Sequence, residues 1–408
     1  MQIAVPVLPS RVFKLRNVLL FTGVLLMHWT LLRPTPADAV FMLVLLLSVL
    51  CNPRFNARFV VFFVLVFIWT VCVYFSSIAV LSDREVQFQL LAHTFVVLVG
   101  FTGCLVGLTW EERHFETLMN VWIVASCIAA SLGIFGFATG NEMFLWDGRA
   151  KGLFDEPIAF GAFLLPGLYG CMYHLSLGRR RALGTLGLLI CMAGILLSFS
   201  RAAVFSLFVF TPVYFVLLNR RNLGKAIAYL LIGIFLSCAL IGTAMLTSET
   251  FQEKVITRAT LGETYDTEHG GRYDRYYRSI PMILDNPTGL GMLQIDKIFP
   301  EPIHNIFLSS FLNYGWLAGV SWLLLTILSF KVAFQNQKAT HSPMATWISF
   351  SLLSQLPCAL LQQVEHWRHF WLLLGLLWGF KCRQVLAGRR VRPAPPTVYA
   401  AAVAVSAN

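Results

Sequence analysis

Three arginines within seven residues, at 272, 275 and 278, followed by a histidine at 304, make up the most chemically loaded stretch of the chain. A guanidinium offers a planar fork of N–H donors that matches phosphate oxygens two at a time. Several such forks facing a membrane suit a lipid-linked diphosphate. Arg272 and Arg275 lie three apart and share one face of a helix, and Arg278 continues the row with drift. The alternative is a loop helix resting on anionic headgroups or paired with Asp274 and nearby acids. His304 and Asn305 open a new apolar run. In the first turn of a helix the positive dipole end and nearby arginines disfavour imidazolium. The ring is therefore expected to be neutral, as a general base must be. Its other reading is a histidine that merely caps the helix.

Arg201 lies in Ser198-Phe199-Ser200-Arg201-Ala202-Ala203, between two apolar runs with almost no loop. A charge at such a position is costly in a membrane and marks a functional position by default. The competing reading is an interfacial anchor that snorkels to the outer surface. Arg149, Lys151, Asp155 and Glu156, between 139 and 158, are candidates for the mouth of a cavity. Glu365, His366 and His369 partly match a metal-ligand spacing. Trp367, Arg368 and Trp371 among them read better as an interfacial belt, so no metal is expected. The nine cysteines contain no CxxC and point to neither a disulfide framework nor a zinc site.

These residues need a frame, and composition says what it is. The 408 residues are 57% hydrophobic and 12% charged, against about 25% charged in soluble domains, with a mean hydropathy of +0.70. Repeated long apolar runs then mean a polytopic bundle of helices, each satisfying its own backbone. Candidate spans are 17–32, 38–51, 57–81, 87–109, 117–138, 154–176, 183–199, 202–218, 225–246, 304–330, 344–361 and 367–380. The first reads as a span, not a cleaved signal peptide. The first two could instead form a re-entrant hairpin, and 183–218 one long broken helix. The expected fold is all-α: about twelve transmembrane helices and one large outside loop, periplasmic in a bacterium, containing short helices.

Charge sets the orientation. With the N-terminus inside, short inside segments and tails carry 19 Lys and Arg against 6 in short outside segments. That asymmetry places both termini in the cytoplasm and the loop from Thr247 to Pro302 outside. The net charge of +11 is thus spent on orientation, and nucleic acid is not an expected partner. Thr250-Phe251-Gln252-Glu253 reads as a capping box opening a short helix. Residues 262–271 read as a break, and Arg272 to Leu284 as a second helix interrupted by Pro281. The units are then 1–246 (N-terminal spans), 247–303 (the periplasmic loop), 304–381 (C-terminal spans) and 382–408, a cytoplasmic tail expected to be disordered. A transporter would need ionisable residues at mid-span. The strong charges collect at the outer edge instead, which favours interfacial chemistry.

Several segments together resemble the O-antigen ligase and polymerase superfamily of bacterial inner membranes. They are the Arg201 segment, Gly270-Gly271-Arg272, Asp285-Asn286-Pro287-Thr288-Gly289-Leu290-Gly291, His304-Asn305-Ile306-Phe307-Leu308 and Asn313-Tyr314-Gly315-Trp316-Leu317-Ala318-Gly319. Gly152-Leu153-Phe154-Asp155-Glu156-Pro157-Ile158-Ala159 also looks like the family's segment before its sixth span. The likeness covers roughly residues 100–330 by motif. It implies a glycosyltransferase, without cofactor or metal, that moves a glycan from undecaprenyl diphosphate to a hydroxyl of lipid A-core in lipopolysaccharide biosynthesis. It implies an essential His304 as base, with essential Arg201 and Arg272 on the diphosphate. Arg275, Arg278, Arg149, Lys151 and Asn305 would assist in binding substrate. A polymerase using the same donor is the sister reading, although polymerases of this group tend to have two large periplasmic loops. The clustered arginines leave the matching position open to a slip of three, and His269 is a second possible base.

Overall fold

The structure, a computed structural model, describes residues 10–31, 34–51, 57–220, 270–340 and 342–391, together with isolated positions outside these ranges. Helices dominate. In chain order they are α1 (Ser10–Leu26), α2 (Pro36–Leu50), α3 (Ala57–Ser76), α4 (Arg84–Thr109), α5 (Glu112–Thr139), α6 (Pro157–Ser176), α7 (Arg181–Leu197) and α8 (Arg201–Leu218). After the long polar interval come α9 (Arg272–Asp285), α10 (Ile306–Tyr314), α11 (Trp316–Thr340), α12 (Pro343–Leu353), α13 (Leu356–Leu361) and α14 (Arg368–Val391). Between α5 and α6, β1 (Leu145–Trp146) pairs antiparallel with β2 (Arg149–Ala150). Starts are set by side chains that satisfy exposed backbone N–H groups: Asp83 before α4, Ser200 before α8, Asn305 before α10 and Ser342 before α12.

Among the described residues, seven helices are long and apolar enough to cross a membrane, counting 343–361 as one span. The apolar α2 and α7 are shorter. The span expected at 225–246 lies largely outside the described residues. So do the capping box at Thr250, the break including His269, and the tail from Arg392. Other boundaries differ from expectation. The run 304–330 is not one span: it breaks at Gly315 into α10 and α11. The run 344–361 turns at Ser354–Gln355, and α14 continues to Val391, well past the span predicted to end at 380. The run 183–218 is two helices meeting at 198–200. Pro281 lies inside a continuous α9 and does not interrupt it. The carbonyl it deprives of a bond belongs to Tyr277, which is exposed.

Long-range bonds sort the segment ends into two groups. At one end Arg368 donates twice to the Asp38 carboxylate, at 2.6 and 2.8 Å, tying α14 to α2. There too the Thr30 hydroxyl donates to the Leu153 carbonyl, and the Met292 N–H to Ser77 Oγ at the end of α3. At the other end Trp110 Nε1 donates to Asn17 Oδ1 at 2.8 Å, Ser342 donates to Glu112, and Arg179 pairs with Glu116. The first group joins segments that charge counting places outside, the second joins segments it places inside.

Close helix approach fixes α14. A Cβ on Gly375 would stand 1.9 Å from the Gly100 carbonyl oxygen, and one on Gly379 would stand 2.3 Å from that of Cys104. Small residues let helices meet at backbone contact where lipid supplies no hydrophobic drive. The contact carries the start of α14, and the Val364–His366 turn before it, against α4.

The break at Gly315 positions the arginine helix. The turn after α9 docks onto it: Leu290 and Gly291 N–H donate to the Leu312 and Asn313 carbonyls, and Trp316 N–H to that of Pro287 at 2.9 Å. Trp316 Nε1 also donates to the Ile283 carbonyl at 2.7 Å. Gly315 takes φ 88, ψ 175, a region essentially restricted to glycine. A Cβ there would meet the Pro287 carbonyl at 2.6 Å. Gly315→Ala is therefore expected to cost about 1–3 kcal/mol in backbone strain alone. It should lower the thermal unfolding midpoint of the detergent-solubilised protein; an unchanged midpoint contradicts the docking described here.

Candidate active site

The sequence around His304 forces an extended entry. Pro300 and Pro302 restrict their predecessors to extended backbone, and Asn305 closes the segment as N-cap, its Oδ1 accepting from Phe307 and Leu308 N–H at 3.0 and 3.1 Å. His304 thus precedes the cap and does not lie in the first turn of α10. The Tyr276 hydroxyl of α9 donates to the His304 carbonyl, which locks the two segments together. Behind them Ile295, Phe299, Ile303 and Leu312 form a small core that Tyr276, Met282 and Ile283 cover. α9 accordingly buries the face carrying Arg275 and Ser279.

The arginine row divides. Arg275 is 2% exposed and its Nη1 pairs with Glu301 Oε2 at 3.1 Å. Arg272, the first residue of α9, is half-buried. Arg278 turns outward, pairs with Asp274 at 3.6 Å and lies 5.2 Å over the Phe299 ring. Of the three, Arg272 and Arg275 are the ones whose charge bears on His304. That ring is 18% exposed, with Nε2 3.9 Å from Glu301 Oε2. Burial first, then Arg272 and Arg275, push its pKa down to about 4, against Glu301 and a hydrogen bond with Gln362. The imidazole is therefore neutral at pH 7, and its buried Nδ1 has no hydrogen-bond partner.

Gln362 extends the site. Its Nε2 donates to Glu156 at the N-cap of α6, and Trp367 Nε1 donates to the other oxygen of Glu156 at 3.0 Å. Burial pushes the Glu156 carboxyl up to about 7, while the two N–H donors and Arg149 pull the other way. Arg149 in turn donates from Nε to the Ser198 carbonyl at 3.0 Å. That bond braces the α7–α8 junction, where Phe199 has φ 47 and Arg201, half-buried, opens α8. Contacts therefore join Glu156 to Gln362 and Arg275 to Glu301 beside His304, while Arg149 and Arg272 act on the series through their charge.

Lys151 and Asn305 stand apart from that series, as the outward Arg278 does. Lys151 is half-buried, and its backbone N–H closes the 144–151 turn onto the Phe144 carbonyl. Asn305 has its side-chain oxygen committed to the cap. Asp155 and Glu156 line a cavity of about 340 Å³, as do Glu365, His366 and His369, whereas Arg149 and Lys151 do not. Trp367 and Trp371 are 4% and 0% exposed, so the expected interfacial belt is packed interior instead. Among the described residues no three His, Cys, Asp or Glu side chains group as metal ligands.

Residues 186–323 match the family model described as O-antigen ligase. The match supports the O-antigen ligase/polymerase superfamily over roughly a third of the chain, and with it a glycosyltransferase-like enzyme acting on lipid-linked glycans in a membrane. No curated protein matches the chain. The matched segment contains Arg201, the arginine row, His304 and the docked Gly289 and Gly315 turns. Outside it lie Glu156 and Gln362, which sequence reading did not connect to His304. The signal for Glu156 was its place in the Phe154-Asp155-Glu156-Pro157 segment. For Gln362 it was only an amide pair, Gln362-Gln363, at the end of an apolar run. Glu301, three residues before His304, carries no signal of its own in the sequence.

Proposed function

We propose that the chain is an O-antigen ligase of the bacterial inner membrane, with its site facing the periplasm. It transfers a polysaccharide from undecaprenyl diphosphate to a hydroxyl of lipid A-core. The observation that carries this reading is the half-buried His304, whose pKa burial and the charges of Arg272 and Arg275 hold down. His304 accepts the proton of the acceptor hydroxyl as that oxygen attacks the anomeric carbon. The bond to the diphosphate breaks on the opposite face, so configuration inverts. Arg272 and Arg201 hold the leaving diphosphate as its charge grows, with Arg275 adding charge and the outward Arg278 contributing least. Both substrates are lipids confined to one leaflet, which supplies much of the positioning.

Deleting the gene and examining the lipopolysaccharide tests the assignment. A ligase leaves complete polymer accumulating on the carrier lipid and core without polymer. Single repeats capping the core would instead identify a polymerase.

The proton inventory makes a second test. A base works in its deprotonated form, and His304 keeps that form above a pKa near 4 instead of the ordinary value of 6.5. The acid limb of kcat/KM should therefore lie near pH 4, with activity sustained through pH 6. A limb centred on 6.5 would contradict a base held by burial and two arginines.

A further inference from the structure

A second polar enclosure adjoins the cationic one. The cavity of about 340 Å³ lies between α2, α4, α10 and the segments at 292–296 and 363–369. Four of its lining side chains are at least nine-tenths buried and carry a polar atom with no hydrogen-bond partner. They are His93 Nε2, Asn313 Oδ1, Glu365 Oε2 and His369 Nε2, in residues 5%, 5%, 4% and 2% exposed. An unsatisfied buried polar group costs about 1–3 kcal/mol. Four around one space call for a partner that occupies it.

The chemistry of the walls selects that partner. Among the described residues the lining carries one Lys or Arg, Arg368, and its two bonds go to Asp38, so these walls do not favour an anion. Burial pushes the Glu365 carboxyl up to about 8, so it is a neutral O–H donor at pH 7 and not a cation ligand. Phe154, Tyr314 and Trp367 add flat apolar faces. The volume stands at the small end of the range of about 300–1,000 Å³ for small-molecule pockets, enough for a sugar ring and too little for a lipid chain. Position agrees: Glu156 in the wall holds Gln362, the neighbour of His304, and Pro302 lines the same space two residues before His304.

We propose that this cavity is a saccharide subsite that takes a neutral, hydroxylated sugar ring next to the bond being made. It rests on the glycosyl-transfer reading of His304. The ring belongs either to the acceptor core or to the donor glycan, since both present the same hydroxyl edges and apolar faces.

Binding of delipidated oligosaccharides to the purified full-length protein in lipid nanodiscs tests this without turnover. One probe is core oligosaccharide, the other the released donor repeat, each followed by saturation-transfer NMR. Ala92→Phe fills the cavity from α4, and Glu365→Gln keeps its shape while changing one hydroxyl contact. Both variants should bind one of the two probes at least tenfold more weakly than wild type, at an unchanged unfolding midpoint. The affected probe tells acceptor from donor. If Ala92→Phe fails to fold, Glu365→Gln carries the test. Wild type that binds neither probe, or variants that bind both as wild type does, overturn the subsite. Wild type that binds a probe in a manner sensitive to Glu365→Gln, yet transfers no glycan, overturns the ligase reading and leaves the subsite standing.

Discussion

Replacing His304 by alanine is expected to cut glycan transfer by about 10²–10⁴-fold, the range a positioned general base supplies. The variant should still be found folded in the membrane. The ring is not a keystone of packing: its carbonyl, not its side chain, accepts from Tyr276, and the Arg275–Glu301 pair does not need it. Asn305 still caps α10. A transfer assay with purified variant, lipid-linked glycan and core acceptor measures the loss. Transfer within tenfold of wild type would remove His304 from the chemistry. The nearby Glu301 is the obvious rival, and it is half-exposed and already paired with a guanidinium.

Arg272→Ala and Arg201→Ala should each cost about 10²–10³-fold in kcat, as loss of one donor aimed at developing charge does. Arg272 has a second readout. Its charge is one of the causes holding the His304 pKa down, so its removal should also move the acid limb of kcat/KM upward from pH 4. Arg278→Ala is the internal control, because that side chain turns outward onto Asp274 and Phe299 and should change transfer by only a few-fold. Equal losses at 272 and 278 would mean that the row acts as a general electrostatic coat. Lysine will not rescue Arg272 if the diphosphate is held bidentately.

Much of the frame was legible because apolar runs are local signals. α3 to α6 and α8 fall close to the predicted spans, because their apolar runs are long enough to outweigh the internal prolines at 166 and 212. The run 304–330 misled because one glycine, Gly315, breaks it, and a lone glycine inside an apolar run reads the same whether it bends the chain or packs against a neighbour. Pro281 misled in the opposite sense, since α9 passes through it. Within the site, the spacing of Arg272 and Arg275 showed that they share a face, and a neutral His304 was expected from the helix dipole and the arginines. The structure adds burial as the larger cause. The support for His304 was out of reach. Gln362 meets Glu156 across a separation of 206 residues, and Glu301 reaches back to Arg275 across 26. Pairings of that kind have no period or spacing to betray them. The motifs around Gly289 and Gly315 were visible as likeness, but only their docking explains them: they seat α9 beside His304.

The most direct measurement reconstitutes purified wild-type protein in liposomes with undecaprenyl-diphosphate-linked polysaccharide and lipid A-core, and counts products. The expected result is one released undecaprenyl diphosphate for each polysaccharide joined to core, with the new glycosidic bond of inverted configuration. Longer polysaccharide on the carrier with core left bare, or a bond that retains the donor's configuration, would contradict a displacement in which His304 activates a core hydroxyl.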